Sequence, residues 1–143
     1  MEVIHDFEIL PNKRPKVLVQ TAAHVSGAAF YYKSDLCHSD KQLGICIHPK
    51  FGGWFAMRAV LVFNGLTSSS LTQRQPKDVL SSDQQKEELL KEFNQNWKEW
   101  KYRDVIPVNK KYSDLQIKYF SLKPSERKSL IKELMNSFQN VVL

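Results

Sequence analysis

Hydrophobic and polar positions fall into short runs of changing period along this chain. An apolar, partly β-branched run from Val3 to Leu10, stopped by Pro11-Asn12-Lys13-Arg14-Pro15, predicts a strand followed by a turn. From Lys16 to Lys33 no proline intervenes, and Leu18, Ala22, Val25, Ala29 and Tyr32 recur at helical spacing, which predicts a helix. Gly27 sits inside that pattern at a cost of about 1 kcal/mol relative to alanine. Ser34 to Gln42 reads as a polar loop. Gly44 to His48 and Trp54 to Phe63 read as two strands joined through Pro49-Lys50-Phe51-Gly52-Gly53, whose glycines supply the positive φ a tight connection needs. On the second strand Trp54, Ala56, Arg58, Val60 and Val62 share a face, so Arg58 stands among apolar neighbours.

Asn64-Gly65 ends that strand, and a Ser/Thr/Pro-rich linker follows to about Ser81. The clearest helical pattern spans Ser82 to Trp100, with Leu89, Leu90, Phe93, Trp97 and Trp100 on one stripe. Ser113-Asp114-Leu115-Gln116 has the form of a capping box opening another short helix. Pro124, at a first helical position, opens a further one with Leu130, Ile131, Leu134 and Phe138 on its apolar side. No segment repeats. The pattern predicts an α+β fold, a small antiparallel sheet with four helices.

Composition narrows this picture. At 143 residues, one domain over 1–143 is expected, long enough to hold a core without disulfides or metal. Eight Phe, five Tyr and three Trp exclude a disordered tail. The most apolar stretch, Trp54 to Phe63, is too short for a membrane span and carries Arg58. The start, Met-Glu-Val-Ile-His-Asp, has no basic region followed by a long apolar run, so no secretory signal is expected. Cys37 and Cys46 stand outside any Cys-x-x-Cys spacing, and a reduced, cytoplasmic protein is the expectation. Of the net charge of +6, a surplus of five comes from Lys101 to Lys128, where eight basic residues face Asp104, Asp114 and Glu126. That concentration points to an anionic partner.

The familiar catalytic and cofactor motifs are absent: no Gly-x-Gly-x-x-Gly, no Walker loop, no Gly-x-Ser-x-Gly, no cluster of His and Cys. His5, His24, His38 and His48 are scattered and read as structural or surface histidines. Cys46, flanked by Ile45 and Ile47, reads as a buried inert thiol; a pair with His48 on the same strand face is the weaker alternative. Trp97, Trp100 and Tyr102 beside Lys98, Lys101 and Arg103 form either a stacking surface for a planar ligand or a core stripe, with the core favoured for the two tryptophans. Arg58 needs a partner, because a lone buried charge is expensive. A structural carboxylate serves, and so does a ligand carboxylate or phosphate gripped bidentately.

Three long segments carry a resemblance. Thr21-Ala22-Ala23-His24-Val25-Ser26-Gly27-Ala28-Ala29 followed by Tyr31-Tyr32, then Ile45-Cys46-Ile47-His48-Pro49-Lys50-Phe51-Gly52-Gly53-Trp54-Phe55-Ala56, then Trp97-Lys98-Glu99-Trp100-Lys101-Tyr102-Arg103-Asp104 with Tyr112-Ser113, occur in one order. From about His5 to Glu133 the chain resembles the intracellular cobalamin-processing family of the methylmalonic aciduria and homocystinuria type C kind. The resemblance implies a modified flavin nitroreductase-like fold, an antiparallel sheet with flanking helices. It also implies that the chain is N-terminally truncated, since relatives carry a further portion of the fold ahead of His5.

The function so implied is base-off binding of cobalamin (vitamin B12), glutathione-dependent dealkylation of alkylcobalamins, and reductive decyanation of cyanocobalamin with electrons from FMN or FAD. By the same resemblance, cobalamin contacts carry over to Asp6, Val17, Leu18, Val19, Gln20, His24, Tyr31, Tyr32, Lys33, Cys46 and Met57, and glutathione contacts to Arg58, Arg103 and Arg127. Lys33 departs from the polar amide of relatives. No side chain of the chain is implied as nucleophile, the external thiol filling that role, and the cobalt arrives with cobalamin rather than in a metal site. Implied partners are the type D cobalamin-trafficking protein and, beyond it, methionine synthase and its reductase, with a homodimer left open and no nucleic acid or membrane. Two rivals stand beside this reading: a cobalamin- or flavin-binding protein without turnover, and a basic nucleic-acid-binding module resting on the Lys101 to Lys128 surplus.

Overall fold

The computed structural model describes residues 1–34, 42–66, 69 and 72–139. Most of the expected polar loop, with Cys37 and His38, lies outside the described residues, as do part of the Ser/Thr/Pro-rich linker and the Phe138 side chain. Among the described residues, four strands and four α-helices follow in the order β1 (Glu2–His5), α1 (Val19–Val25), β2 (Phe30–Tyr32), β3 (Ile45–Ile47), β4 (Ala59–Val62), α2 (Asp83–Gln95), α3 (Asp114–Ser121) and α4 (Pro124–Gln139). Two 3-10 turns, Trp97–Glu99 and Lys101–Asp104, lie between α2 and α3. The fold is α+β, as the pattern predicts. The chain divides into two compact units, Met1–Lys110 and Lys111–Leu143.

In the first unit the strands pair differently from expectation. β3 and β4 do not form a hairpin. β1 pairs with β4 in antiparallel register, Glu2 opposite Val62 and His5 opposite Ala59, while β2 pairs with β3, Tyr31 opposite Cys46. The helix expected over Lys16 to Lys33 is only α1, because Gly27 adopts φ +75° and ends it. A Cβ at Gly27 would lie 2.5 Å from the Arg74 carbonyl oxygen, so close backbone approach is what the glycine provides. The released chain turns into β2. Gly52 and Gly53 likewise serve an approach, since a Cβ on either would meet Arg103 backbone atoms at 2.7 Å. The strand expected from Trp54 is confined to Ala59–Val62.

The short β2–β3 sheet separates two clusters by strand alternation. Phe30, Tyr32, Ile45 and Ile47 face the main core, which Leu80, Leu89, Leu90 and Tyr102 complete. Tyr31 and Cys46 face the other way, with Ala23, Ala29, Phe55 and Met57. Each fully buried aliphatic side chain contributes about 1.5–3 kcal/mol, so Ile47, Leu89 and Leu90 anchor α2 on the sheet. Ser82 caps α2 by accepting the Gln85 amide. The helix stops at Gln95, short of the expected Trp100. Trp97 is exposed, and Trp100, at φ +64°, stacks on Trp54 with ring centroids 5.7 Å apart.

In the second unit, Ser113 and Gln116 form the expected capping box of α3. α4 starts at Pro124, as expected, and buries Leu130, while Ile131 is exposed.

Candidate functional site

α1 and the segment Ala56–Leu61 line an open cavity of about 410 Å³, bordered among others by Val19, Ala22, Ser26, Met57 and Arg58. Its walls are small and apolar because α1 presents Val19, Ala22 and Ala23 one helical turn apart. Met57 also packs against the cluster that Cys46 forms with Ala23 and Ala29, as does Tyr31. The structure therefore gathers Val19, Tyr31, Cys46 and Met57, four of the expected cobalamin contacts, on one side of the β2–β3 sheet. Val17 and Gln20 are half-buried and Leu18 is exposed, all within or just ahead of α1.

Polar groups around this region are unevenly satisfied. Arg58 Nη1 meets Asp6 Oδ2 at 3.0 Å, and the Asp6 amide donates to the Arg58 carbonyl at 3.0 Å. The expected partner of Arg58 is thus a structural carboxylate. Its side chain is 69% exposed, so the expectation of a charge enclosed by apolar neighbours does not hold. Asp6 Oδ1 and Gln20 Oε1 are both shielded from solvent with no hydrogen-bond partner among the described residues. Buried acceptors of this kind are costly unless a donor reaches them.

His24 holds a fixed tautomer: its Nδ1 accepts the Tyr31 amide at 3.0 Å, leaving Nε2 to carry the hydrogen. The Cys46 thiol donates to the Gln20 carbonyl oxygen at 3.3 Å. Burial pushes that thiol up to about 11, so it stays protonated at neutral pH. The alternative of a Cys46–His48 pair fails. His48 Nδ1 instead accepts the amides of Lys50 and Phe51, at 3.0 and 3.3 Å, and burial, with the Lys50 charge, lowers the imidazole's affinity for a proton.

Other expected site residues lie apart from the cavity. Tyr32 points into the main core, where its hydroxyl donates to Asp78 Oδ1 at 2.7 Å and accepts the Val79 amide at 3.0 Å. Desolvation first, and the Asp78 carboxylate second, raise its hydroxyl well above the ordinary tyrosine range. The Asp78 partner left no sequence signal. Lys33 is exposed and borders a different hollow with Lys86 and Lys91. Arg103 lies against three rings, 4.7 Å from the Trp100 centroid, 5.0 Å from Tyr102 and 5.7 Å from Trp54, and Nη1 donates to the Gly53 carbonyl. Within the second unit, Arg127 donates to the carbonyls of Leu122 and Phe120 at the end of α3 and covers the Tyr119 ring at 5.2 Å. Among the described residues no three His, Cys, Asp or Glu side chains gather into a metal site, and no helix is long and apolar enough to cross a membrane.

Comparison with known proteins supplies the deciding observation. The model of the methylmalonic aciduria and homocystinuria type C family matches residues 1–131. The chain belongs to this family. A Gallus gallus family member, a cyanocobalamin reductase / alkylcobalamin dealkylase, is 48% identical over 136 residues, covering 92% of this chain and 57% of the relative. A Danio rerio protein of the same description is 42% identical over 139 residues, covering 93% and 56%. The solved structure of a Caenorhabditis elegans B12-trafficking protein, a type C homologue, matches with a TM-score of 0.79 at 33% identity over 90% of this chain and 54% of that one. This type C family chain thus spans about half the length of the relatives it matches.

Proposed function

We propose that this chain takes part in cobalamin processing. Family membership over residues 1–131 carries the reading, since the Gallus gallus and Danio rerio members are described as cyanocobalamin reductase / alkylcobalamin dealkylase. The cavity under α1 supports it. A volume of about 410 Å³ lies in the range of small-molecule pockets and admits one edge of a corrin. The unpaired acceptors on Asp6 and Gln20 suit the amide N–H groups that fringe that ring. Val17 to Gln20, His24, Tyr31, Cys46 and Met57 contribute apolar surface and backbone groups. Tyr32 acts from beneath by fixing β2, and Lys33 acts at most at the rim.

In the finer reading the glutathione thiolate attacks the cobalt-bound alkyl carbon. A carbon–sulfur bond forms, and the cobalt–carbon pair leaves with cob(I)alamin. The chain's task is to hold the two reactants in line, which replaces an encounter by a positioned reaction. Arg58, exposed at the cavity wall, is the arginine best able to exchange Asp6 for a glutathione carboxylate. For decyanation, reduced FMN or FAD supplies electrons. The cation and rings that would suit a flavin, Arg103 with Trp54, Trp100 and Tyr102, already engage one another, which favours a flavin that acts as a diffusing donor. The type D protein, methionine synthase and its reductase fit as later recipients, and the cytoplasm as the compartment where glutathione keeps thiols reduced.

The test is an anaerobic visible spectrum of the 143-residue chain with methylcobalamin, before and after glutathione. A base-off shift followed by thiol-dependent loss of the methyl species is expected. A folded chain that leaves the spectrum unchanged overturns the reading for this chain.

A further inference from the structure

The turn after β3 is built around His48. Its backbone closes on Gly52, each amide donating to the other's carbonyl at 2.9 Å. Inside that closure the His48 Nδ1 accepts two further amides, from Lys50 at 3.0 Å and Phe51 at 3.3 Å. Accepting the amides two and three positions further on is the task that Asn and Asp side chains usually perform in such turns. An asparagine Oδ1 would stand where the imidazole Nδ1 stands, and it accepts at any pH. Nδ1 accepts only while the ring is neutral. Histidine at this position therefore makes the turn titratable.

The surroundings favour the neutral ring. His48 is half-buried, with the Phe51 and Phe55 ring centroids 4.7 and 5.6 Å from its own. Its charged neighbours are Lys50 in the turn, and Arg103 and Asp104 on the 3-10 turn that meets Gly52, Gly53 and Trp54. Burial first, and the Lys50 charge second, oppose protonation of the ring. A proton on Nδ1 would put a donor where the Lys50 and Phe51 amides need an acceptor. The turn also seats a neighbour. The Gly53 amide donates to the Arg103 carbonyl at 3.0 Å, and Arg103 Nη1 donates back to the Gly53 carbonyl. Gly53 follows Phe51 by two residues, so a release at Phe51 reaches the Arg103 seat through the backbone.

We infer that His48 is an acid-sensitive latch on this turn: the neutral ring holds the Lys50 and Phe51 amides, and protonation at Nδ1 releases them and loosens Gly53 from Arg103. The latch is closed at neutral pH. Its contribution to stability is fully present above the ordinary histidine value of 6.5 and is lost as pH falls from there through the lowered folded value. His24 also accepts an amide through Nδ1, from Tyr31 at 3.0 Å, but it lies on α1 and touches neither the turn nor Arg103 in any recorded bond. This inference stands independently of the cobalamin chemistry.

The experiment follows the His48 ring by NMR, together with amide hydrogen exchange, on the 143-residue chain from about pH 7.5 to about pH 4.5. Each exchange rate is divided by that of an unstructured peptide at the same pH, which removes the intrinsic pH dependence. Protection of the Phe51 and Gly53 amides is expected to fall about tenfold, with the same midpoint as the His48 ring. His48→Asn is expected to keep both amides protected over the whole range, and His48→Ala to leave them exchanging freely throughout. If the alanine variant does not fold, the asparagine variant decides. Three results overturn the inference. The first is a His48 ring that stays neutral for as long as the chain is folded. The second is Phe51 or Gly53 protection that does not follow the ring. The third is an unchanged pH dependence in His48→Asn, which would assign the transition to another group such as His24.

Discussion

Cys46 and Tyr32 show how much of a side chain's role depends on what lies across the fold from it. Flanking isoleucines made the burial of Cys46 legible, and the structure adds its acceptor, the Gln20 carbonyl. With the thiol pushed up to about 11, alkylation by iodoacetamide at neutral pH is expected to be far slower in the folded chain than in urea, followed by mass spectrometry of the Cys46 peptide. Because the folded state favours the neutral thiol, this group weakens stability as pH rises from its ordinary value of 9.0 towards 11 and has no effect below. Rapid labelling of folded protein at pH 7 would contradict the burial. Tyr32 was legible only as an aromatic; its Asp78 partner lies 46 residues away and no spacing rule reaches it. Burial works against the Asp78 carboxylate, but the Tyr32 hydroxyl, the Leu80 amide and Lys86 outweigh it and hold the carboxyl below its ordinary 3.8. Its contribution is therefore present above that pH and lost as pH falls through the lowered folded value. Tyr32→Phe leaves the Val79 amide without its acceptor and is expected to cost about 1–3 kcal/mol in urea denaturation at pH 7. It is also expected to flatten the acid limb of the stability profile. A variant with wild-type midpoint and acid limb would show that the network carries no stability.

At the scale of elements, local chemistry was readable and long-range chemistry was not. The Ser82 cap, the Ser113–Gln116 box and Pro124 at the head of α4 all depend on neighbours within four residues, and all three are where the pattern puts them. Gly27 is the counter-example. In the pattern it looked like a weak point within one helix, since apolar spacing persists on both sides. What decides is the Arg74 backbone, which approaches from 47 positions further on and makes Gly27 a terminator. Gly52 and Gly53 misled in part: Gly52 does take a positive φ and closes a tight turn with His48, as expected, but the turn does not pair β3 with β4, and both glycines make room for Arg103. Gly27→Ala meets both a positive φ and a contact of 2.5 Å, so a loss of more than about 1 kcal/mol is expected. Gly65, also at positive φ but with no atom within 4 Å of an added Cβ, supplies the internal control for conformational strain alone. Measured side by side by urea denaturation, Gly27→Ala should lose distinctly more than Gly65→Ala. Equal losses would mean that the Arg74 approach contributes nothing.

At the scale of the whole molecule, the three arginines assigned by resemblance occupy three different physical settings. Arg58 is exposed and paired with one carboxylate at the cavity wall. Arg103 is enclosed by Trp54, Trp100 and Tyr102 and tied to Gly53, so it fastens the 3-10 turn Lys101–Asp104 to the loop before Trp54. Arg127 fastens the end of α3 within its own unit. Residue type and the role implied by resemblance are the same in each case; only packing separates a guanidinium held by one exchangeable carboxylate from one enclosed by the fold. The settings predict different losses. In the proposed dealkylation, Arg58→Ala is expected to raise the glutathione concentration needed several-fold while leaving the base-off spectrum almost unchanged; the unfolding midpoint falls modestly, because Arg58 is exposed but its Asp6 partner is mostly shielded. Arg103→Lys keeps the charge but loses the planar stack and the fork geometry. It is expected to cost about 1–2 kcal/mol, in line with a partly desolvated cation on aromatic faces, and to weaken cobalamin and glutathione responses together. Glutathione titrations and urea melts on the two variants separate the roles. If Arg103→Lys shifted only the glutathione response and left the midpoint in place, Arg103 would be a ligand contact and its aromatic enclosure incidental. If Arg58→Ala moved neither, the cavity wall would not be where glutathione is held.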